Sequence, residues 1–201
     1  DGVKSLSLNA RMELASTLTL PRKSSPTRRV YIDKPGTEEK RPLGIPTMYD
    51  RACQALVKMV LEPEWEAKFE PNSFGFRPGR SAHDAIKSIH FSVRYKEVWV
   101  LDADLSGCFD NINHNYLLDK LNTYPELRRV IKTWLKSGYM DGNVFNRTDQ
   151  GTPQGGVLSP LLANIALHGM ERHIESRMYD IAKLEKTGQL GLFGNTESID
   201  Y

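Results

Sequence analysis

Gly151-Thr152-Pro153-Gln154-Gly155-Gly156-Val157-Leu158-Ser159-Pro160 is the stretch from which the rest of the chain can be read. Its glycines make a tight turn that lets backbone come close to a bound nucleotide, because no Cβ stands in the way. Ser159 as N-cap and Pro160 at the first helical position then open a helix. Three glycines alone would only turn the chain, but a Pro-Gln-Gly core running into Leu-Ser-Pro-Leu-Leu-Ala-Asn is a far more specific pattern.

Working upstream, Val98-Trp99-Val100-Leu101-Asp102-Ala103-Asp104-Leu105 reads as an apolar strand that acquires carboxylates at its end. Period-2 alternation would project Asp102 and Asp104 from one face. The chain then turns at Gly107 and resumes as a helix carrying Tyr116, Leu117, Leu118 and Leu121, with His114 at its start and outside the chemistry. A further helix through Val130, Ile131, Trp134 and Leu135 leads to an irregular stretch, Gly138 to Asn146, and so to the glycine turn.

Nearer the N-terminus, Arg28-Arg29-Val30-Tyr31-Ile32-Asp33-Lys34 reads as a strand, Pro35-Gly36 as a type II turn, and Lys40 to Pro46 as the return strand. The tip of that hairpin gathers Lys34, Lys40 and Arg41. Ala52, Ala55, Leu56, Met59 and Val60 recur at helical spacing and are expected to pack, with Pro63 ending the helix. Phe74 to Arg80 mixes aromatics with arginines, which suits a nucleic-acid strand; Arg77 and Arg80 either contact phosphate or tether the loop through carbonyls. A capping box, Ser81-Ala82-His83-Asp84, opens the next helix, with Ala85, Ile86, Ile89 and Val93 on one face. His83, His90, His168 and His173 lie on helices at no ligand spacing.

Composition bounds the reading. The 201 residues, 39% hydrophobic and 26% charged, suffice for one large or two small lobes. A formal charge of +2 is too small to signal nucleic-acid binding, so local clusters must carry that argument. Cys53 and Cys108 have neither zinc nor disulfide spacing, so reduced thiols are expected. No apolar run reaches membrane-span length and no secretory leader is evident, so a soluble protein is expected. Asp1 is not a methionine and nothing at Tyr201 terminates a domain, so the chain reads as an excerpt of something longer.

Asp104-Leu105-Ser106-Gly107-Cys108-Phe109, continuing through Asp110-Asn111-Ile112-Asn113-His114, resembles the first catalytic motif of reverse transcriptases of the group II intron type. Lys34-Pro35-Gly36 with Arg41-Pro42-Leu43-Gly44-Ile45-Pro46 is similar to their triphosphate-holding fingers motif. Phe74 to Ser81 resembles the next fingers motif, Thr152 to Gly156 the palm motif, and Asp1-Gly2-Val3 the tail of the N-terminal extension motif.

The resemblance implies an α/β fold of right-hand polymerase type. Residues 1–93 would form the fingers with their basic hairpin, and 94–201 a partial palm, with helices packed on an antiparallel sheet. It implies that Asp104 is catalytic and binds Mg2+, that Lys34 and Arg41 hold the triphosphate and stack on the base, and that Phe109 bars a 2′-hydroxyl. Gln154 and Gly155 would back the nucleotide, and Arg28, Arg29, Arg77 and Arg80 would meet template RNA.

The implied partners are an intron RNA template, a DNA or RNA primer and dNTPs, in a bacterial cytoplasm or an organelle, without a membrane. The family's Tyr-x-Asp-Asp motif does not occur in these residues, so the segment alone is expected to polymerise poorly, with Asp200 a remote substitute ligand. A splicing factor without polymerase activity and a reverse transcriptase of a bacterial defence system are the alternatives.

Overall fold

A hairpin starts the sheet. In a computed structural model that describes residues 5–95, 97–98 and 100–186, β1 (Thr27–Asp33) pairs antiparallel with β2 (Lys40–Ile45), in a register that sets Arg29 opposite Gly44 and Asp33 opposite Lys40. Gly36, at φ +78°, takes the left-handed position that a type II turn requires, and the Thr37 N–H closes the turn on the Lys34 carbonyl at 3.3 Å. The other edge of β1 pairs in parallel with β3 (Tyr139–Asp141), which forms a second hairpin with β4 (Val144–Asn146). The order is β2-β1-β3-β4, antiparallel except at β1/β3. The stretch expected to be irregular is therefore a hairpin. Its two-residue Gly142-Asn143 loop is the sequence sign that identifies it.

Helices α1 (Leu8–Thr17) and α2 (Met48–Glu66) flank the β1/β2 hairpin in the chain. Then follow α3 (Ala82–Val93), the short α4 (Cys108–Asn111), α5 (His114–Leu121), α6 (Pro125–Leu135), α7 (Ser159–Leu167) and α8 (Met170–Lys186). The core lies where α2, α5, α6 and α7 meet, around Leu61, Leu117, Leu118, Ile131, Leu135 and Ile165.

Helix α2 departs from expectation twice. Its buried stripe is Cys53, Val57, Leu61 and Trp65, while Leu56, Met59 and Val60 face outward. The buried stripe also carries Asp50 and Gln54, which count against it on hydrophobicity but find partners inside: the Trp134 indole N–H donates to Asp50 Oδ1 at 3.0 Å, and the Val157 N–H to Gln54 Oε1 at 3.0 Å. The helix also runs through Pro63 to Glu66. Pro63 is exposed, so the carbonyl it leaves unbonded can turn to water, and burial of Trp65 holds the last turn.

Residues 97–98 and 100–105 are not a strand. No described strand runs beside them, and strand backbone without a neighbour gains no ladder of hydrogen bonds. Asp102 and Asp104 therefore share no strand face. Leu101, 83% exposed, is not buried either. Ser159 is the first residue of α7 and not its cap; its hydroxyl donates to the Pro153 carbonyl at 2.8 Å. Asp1 to Val3 and Asp200 lie outside the described residues.

Gly151 is among the tightest points of the fold. It sits at φ +84°, and a Cβ there would lie 2.6 Å from the Asp110 carbonyl oxygen and 2.8 Å from that of Phe109. Its own N–H donates to the Ile112 carbonyl at 2.8 Å, and its carbonyl meets His114 Nε2 at 2.6 Å. His114 is buried, and its Nδ1 has no hydrogen-bond partner. The ring must donate from Nε2, so Nδ1 is the bare nitrogen of the neutral form. Burial holds its pKa below the usual 6.5, against the pull of the Gly151 carbonyl.

Two outcomes follow from this junction. Gly151→Ala should cost about 3 kcal/mol, from the left-handed torsion and the backbone collision together, measurable as a lowered denaturation midpoint. For His114, the folded pKa lies below the unfolded one, so its contribution is complete above pH 6.5 and is lost as pH falls through that value toward the depressed one. His168, also lowered by burial, adds a loss of the same sign. Denaturation of wild type and His114→Gln across pH 5 to 8 should therefore show a shallower acid decline in the variant.

Candidate nucleotide and nucleic-acid site

Three backbone segments converge beside the β1/β2 hairpin. The Gly44 N–H of β2 donates to the Gln154 carbonyl at 2.7 Å, and a Cβ on Gly44 would press on Thr27 Oγ1 at 2.9 Å and Pro153 Cβ at 3.2 Å. The Thr152 N–H donates to the Phe109 carbonyl at 2.7 Å. The glycine-rich loop is thus stitched to the hairpin on one side and to the loop after Asp104 on the other, and close backbone approach makes both joins possible. Gln54 adds a third support from α2 through Val157.

Between hairpin and loop lies a cleft of ≈ 340 Å³ whose walls include Arg29, Asp110, Tyr139, Thr152 and Gln154. The Arg29 guanidinium carbon stands 3.7 Å from the centre of the Tyr139 ring, a cation–π contact that flattens the side chain against the wall. Arg29 Nε and the Thr152 hydroxyl are buried without a hydrogen-bond partner. The Gln154 amide reaches Asp110 Oδ2 at 3.4 Å.

The expected site residues divide into groups. Arg29 and Gln154 meet in this cleft, Gly155 lies against the Gly44 carbonyl, and Phe109 adjoins through its backbone. Lys34 and Arg41 stand at the hairpin's outer end and do not line the cleft; Lys34 pairs with Glu39 at 2.6 Å. That contact, by hydrogen bond and by charge, holds the Glu39 carboxyl below its usual range. Arg28 is exposed on β1. Asp104 is exposed, makes no hydrogen bond to the described residues, and lies close enough to raise the Cys108 thiol pKa behind the larger effect of burial. Among the described residues no three His, Cys, Asp or Glu are gathered to hold a metal.

Arg77 is a correction. Its guanidinium is buried, paired with both Glu66 oxygens at 2.8 to 3.0 Å, and donates to the Glu70 and Ser73 carbonyls at 3.0 and 2.7 Å. Every nitrogen is engaged within the protein, so it tethers its loop and does not reach for a phosphate. Arg80 keeps more freedom, with Nη1 on the Pro71 carbonyl at 2.7 Å and the group over the Phe74 ring. Nearby, Glu70 is pushed up by burial, but backbone N–H groups of Arg172, Gly169 and Glu171 outweigh this and hold it low, as a cap on α8.

The residues missed in the sequence are His114, Thr152, Gln54 and Phe76. His114, Thr152 and Phe76 lie inside the quoted motifs but receive no site role there, and Gln54 lies in none; what distinguishes each is a contact with a segment far away in the chain.

Comparison with known proteins agrees with this geometry. The chain is 43% identical over 152 residues to the group II intron-encoded protein LtrA of Lactococcus lactis subsp. cremoris, a match over 74% of this chain and 25% of that protein. It is 36% identical over 190 residues to protein YkfC of Escherichia coli K12, covering 88% of this chain and 50% of that one. The chain thus spans a quarter to a half of these relatives. Its fold is shared with a chain of a solved "Partial Cas6-RT-Cas1--Cas2 complex", at a TM-score of 0.52 and 24% identity over 87% of this chain and 31% of that one. The family model described as reverse transcriptase (RNA-dependent DNA polymerase) matches residues 32–190, and the chain belongs to that family.

Proposed function

We propose that this chain supplies the fingers, over residues 1–93, and part of the palm, over 94–201, of a group II intron-encoded protein. That protein copies intron RNA into DNA and assists splicing as a maturase. The observation that carries the reading is the stitching of hairpin, glycine-rich loop and Phe109 loop by short backbone hydrogen bonds. It draws segments far apart in the chain around one cleft.

In this reading the primer 3′-hydroxyl attacks the α-phosphorus of a dNTP, a phosphodiester bond forms and pyrophosphate leaves. Lys34 exchanges Glu39 for the triphosphate, and Arg41 stacks on the base while its edge donates to phosphate. Phe109 bars a ribose by bulk, and Gln154 with Gly155 backs the nucleotide. Arg28, Arg29 and Arg80 take the template strand; Arg29 and Thr152 line the cleft, and each keeps a buried polar atom that no described residue pairs.

Reverse transcriptases use divalent metal ions, and the free, hard carboxylate of Asp104 suits magnesium. When bound, the metal would stabilise charge on the attacking and leaving oxygens. This reading sets the protein inside a bacterium or an organelle; the two relatives named above are bacterial, and among the described residues no helix is long and apolar enough to cross a membrane.

Two measurements on the full-length protein test this. Primer extension on an RNA template should be magnesium-dependent and fall by about a thousand-fold or more in Asp104→Asn. RNA binding and splicing without any extension would instead favour the splicing factor. Arg41→Lys should raise KM for dNTP about ten-fold, since an ammonium cannot stack and donate together; an unchanged KM would remove Arg41 from the nucleotide site.

A further inference from the structure

Phe76 is the one bulky residue of the described chain held in left-handed backbone, at φ +57°; the other non-glycine residue with positive φ is Asn122, a residue type that tolerates it. The loop around it does not lack glycine. Gly79 takes φ +68° three residues on, while Gly75, directly before Phe76, has no positive φ. The strained torsion thus falls on the aromatic residue although a glycine stands beside it.

The surroundings hold it there. The Asn164 side chain of α7 donates to the Gly75 carbonyl at 2.8 Å, and Arg77, directly after Phe76, is pinned to Glu66, Glu70 and Ser73. Anchored on both sides, Phe76 projects its ring, 67% exposed, edge-on to Phe109, with centroids 6.3 Å apart and planes at 82°. A contact of this kind is worth about what the strained torsion costs, so stability alone does not account for the arrangement.

The Phe109 backbone is fixed by Thr152 and its half-buried side chain packs against the core, which holds the ring in part; Phe76 adds an edge-on contact to it. We infer that Phe76 is a positioning residue that braces the Phe109 ring edge-on and sets how closely that ring screens the sugar of an incoming nucleotide. The inference rests on the reading of Phe109 as the sugar-screening residue. A gate that can swing admits the larger sugar, so the brace acts on discrimination more than on acceptance of the correct nucleotide.

Single-nucleotide incorporation by the full-length protein, with a dNTP and with the matching rNTP, tests it. Phe76→Gly suits the left-handed torsion and so keeps the loop folded, and it should lower the ratio of kcat/KM for dNTP over rNTP about ten-fold, mainly through faster rNTP use, with KM for dNTP within two-fold. Phe76→Tyr, which keeps the ring edge, should restore the ratio. Wild-type selectivity in Phe76→Gly, or a Tyr variant as unselective as the Gly variant, would overturn the inference while leaving the polymerase reading intact. A wild-type protein that incorporates no dNTP would instead overturn the reading itself, and with it the brace.

Discussion

The chain reverses direction at Gly151 directly against the Phe109–Asp110 backbone, and that close contact constrains everything around it. Any side chain there would strike a carbonyl oxygen. With none, three hydrogen bonds form within a few ångströms: Gly151 N–H to Ile112, Thr152 N–H to Phe109, and His114 Nε2–H to Gly151. These bonds tie together segments some forty residues apart in the chain, so the loop after Asp104 and the glycine-rich loop move as one body. The hairpin joins that body through Gly44, where again the absence of a side chain lets two backbones meet.

The acid loop is held unevenly. Its C-terminal half, Phe109 to His114, is anchored by main-chain bonds, while its N-terminal half, through Asp104, is exposed and has no described strand beside it. Exposure of Val100 and Leu101, like that of Ile86 and Ile89 on α3, leaves apolar area in water that the described residues do not cover. The backbone of Phe109 is therefore positioned by the glycine-rich loop, while no described strand or hydrogen bond does the same for Asp104.

Much of this was legible in the sequence because it depends on local chemistry. The Pro35-Gly36 turn, the Ser81–Asp84 capping box, and the helices over 114–121 and 125–135 form where turn residues, caps and periodicity predict them. The misreadings have different causes, and tertiary context enters most of them. On α2, Asp50 and Gln54 turn inward because Trp134 and Val157 wait there, which reverses the face that apolar counting selects. The strand over 98–105 needs a neighbour that local sequence does not supply, and the hairpin over 139–146 carried a turn signal too short to stand out. His114 illustrates the limit best, since a lone histidine at a helix start gives no sign that its ring will close on a glycine 37 positions away.

Arg29 and Arg77 show why charge in a sequence does not locate a binding surface. Both sit in aromatic, basic stretches that look alike on paper. Arg77 spends its guanidinium on Glu66 and two carbonyls, a buried pair whose disruption would leave an uncompensated charge inside the protein. Arg29 lies flat on Tyr139 at the wall of a cleft with its buried Nε unpaired, a hydrogen-bonding capacity that no described residue uses. What separates these two arginines is whether their hydrogen-bonding capacity is already used. For these two residues that depends on whether an acceptor such as Glu66, eleven positions away, is within reach, and their own sequence context does not reveal it.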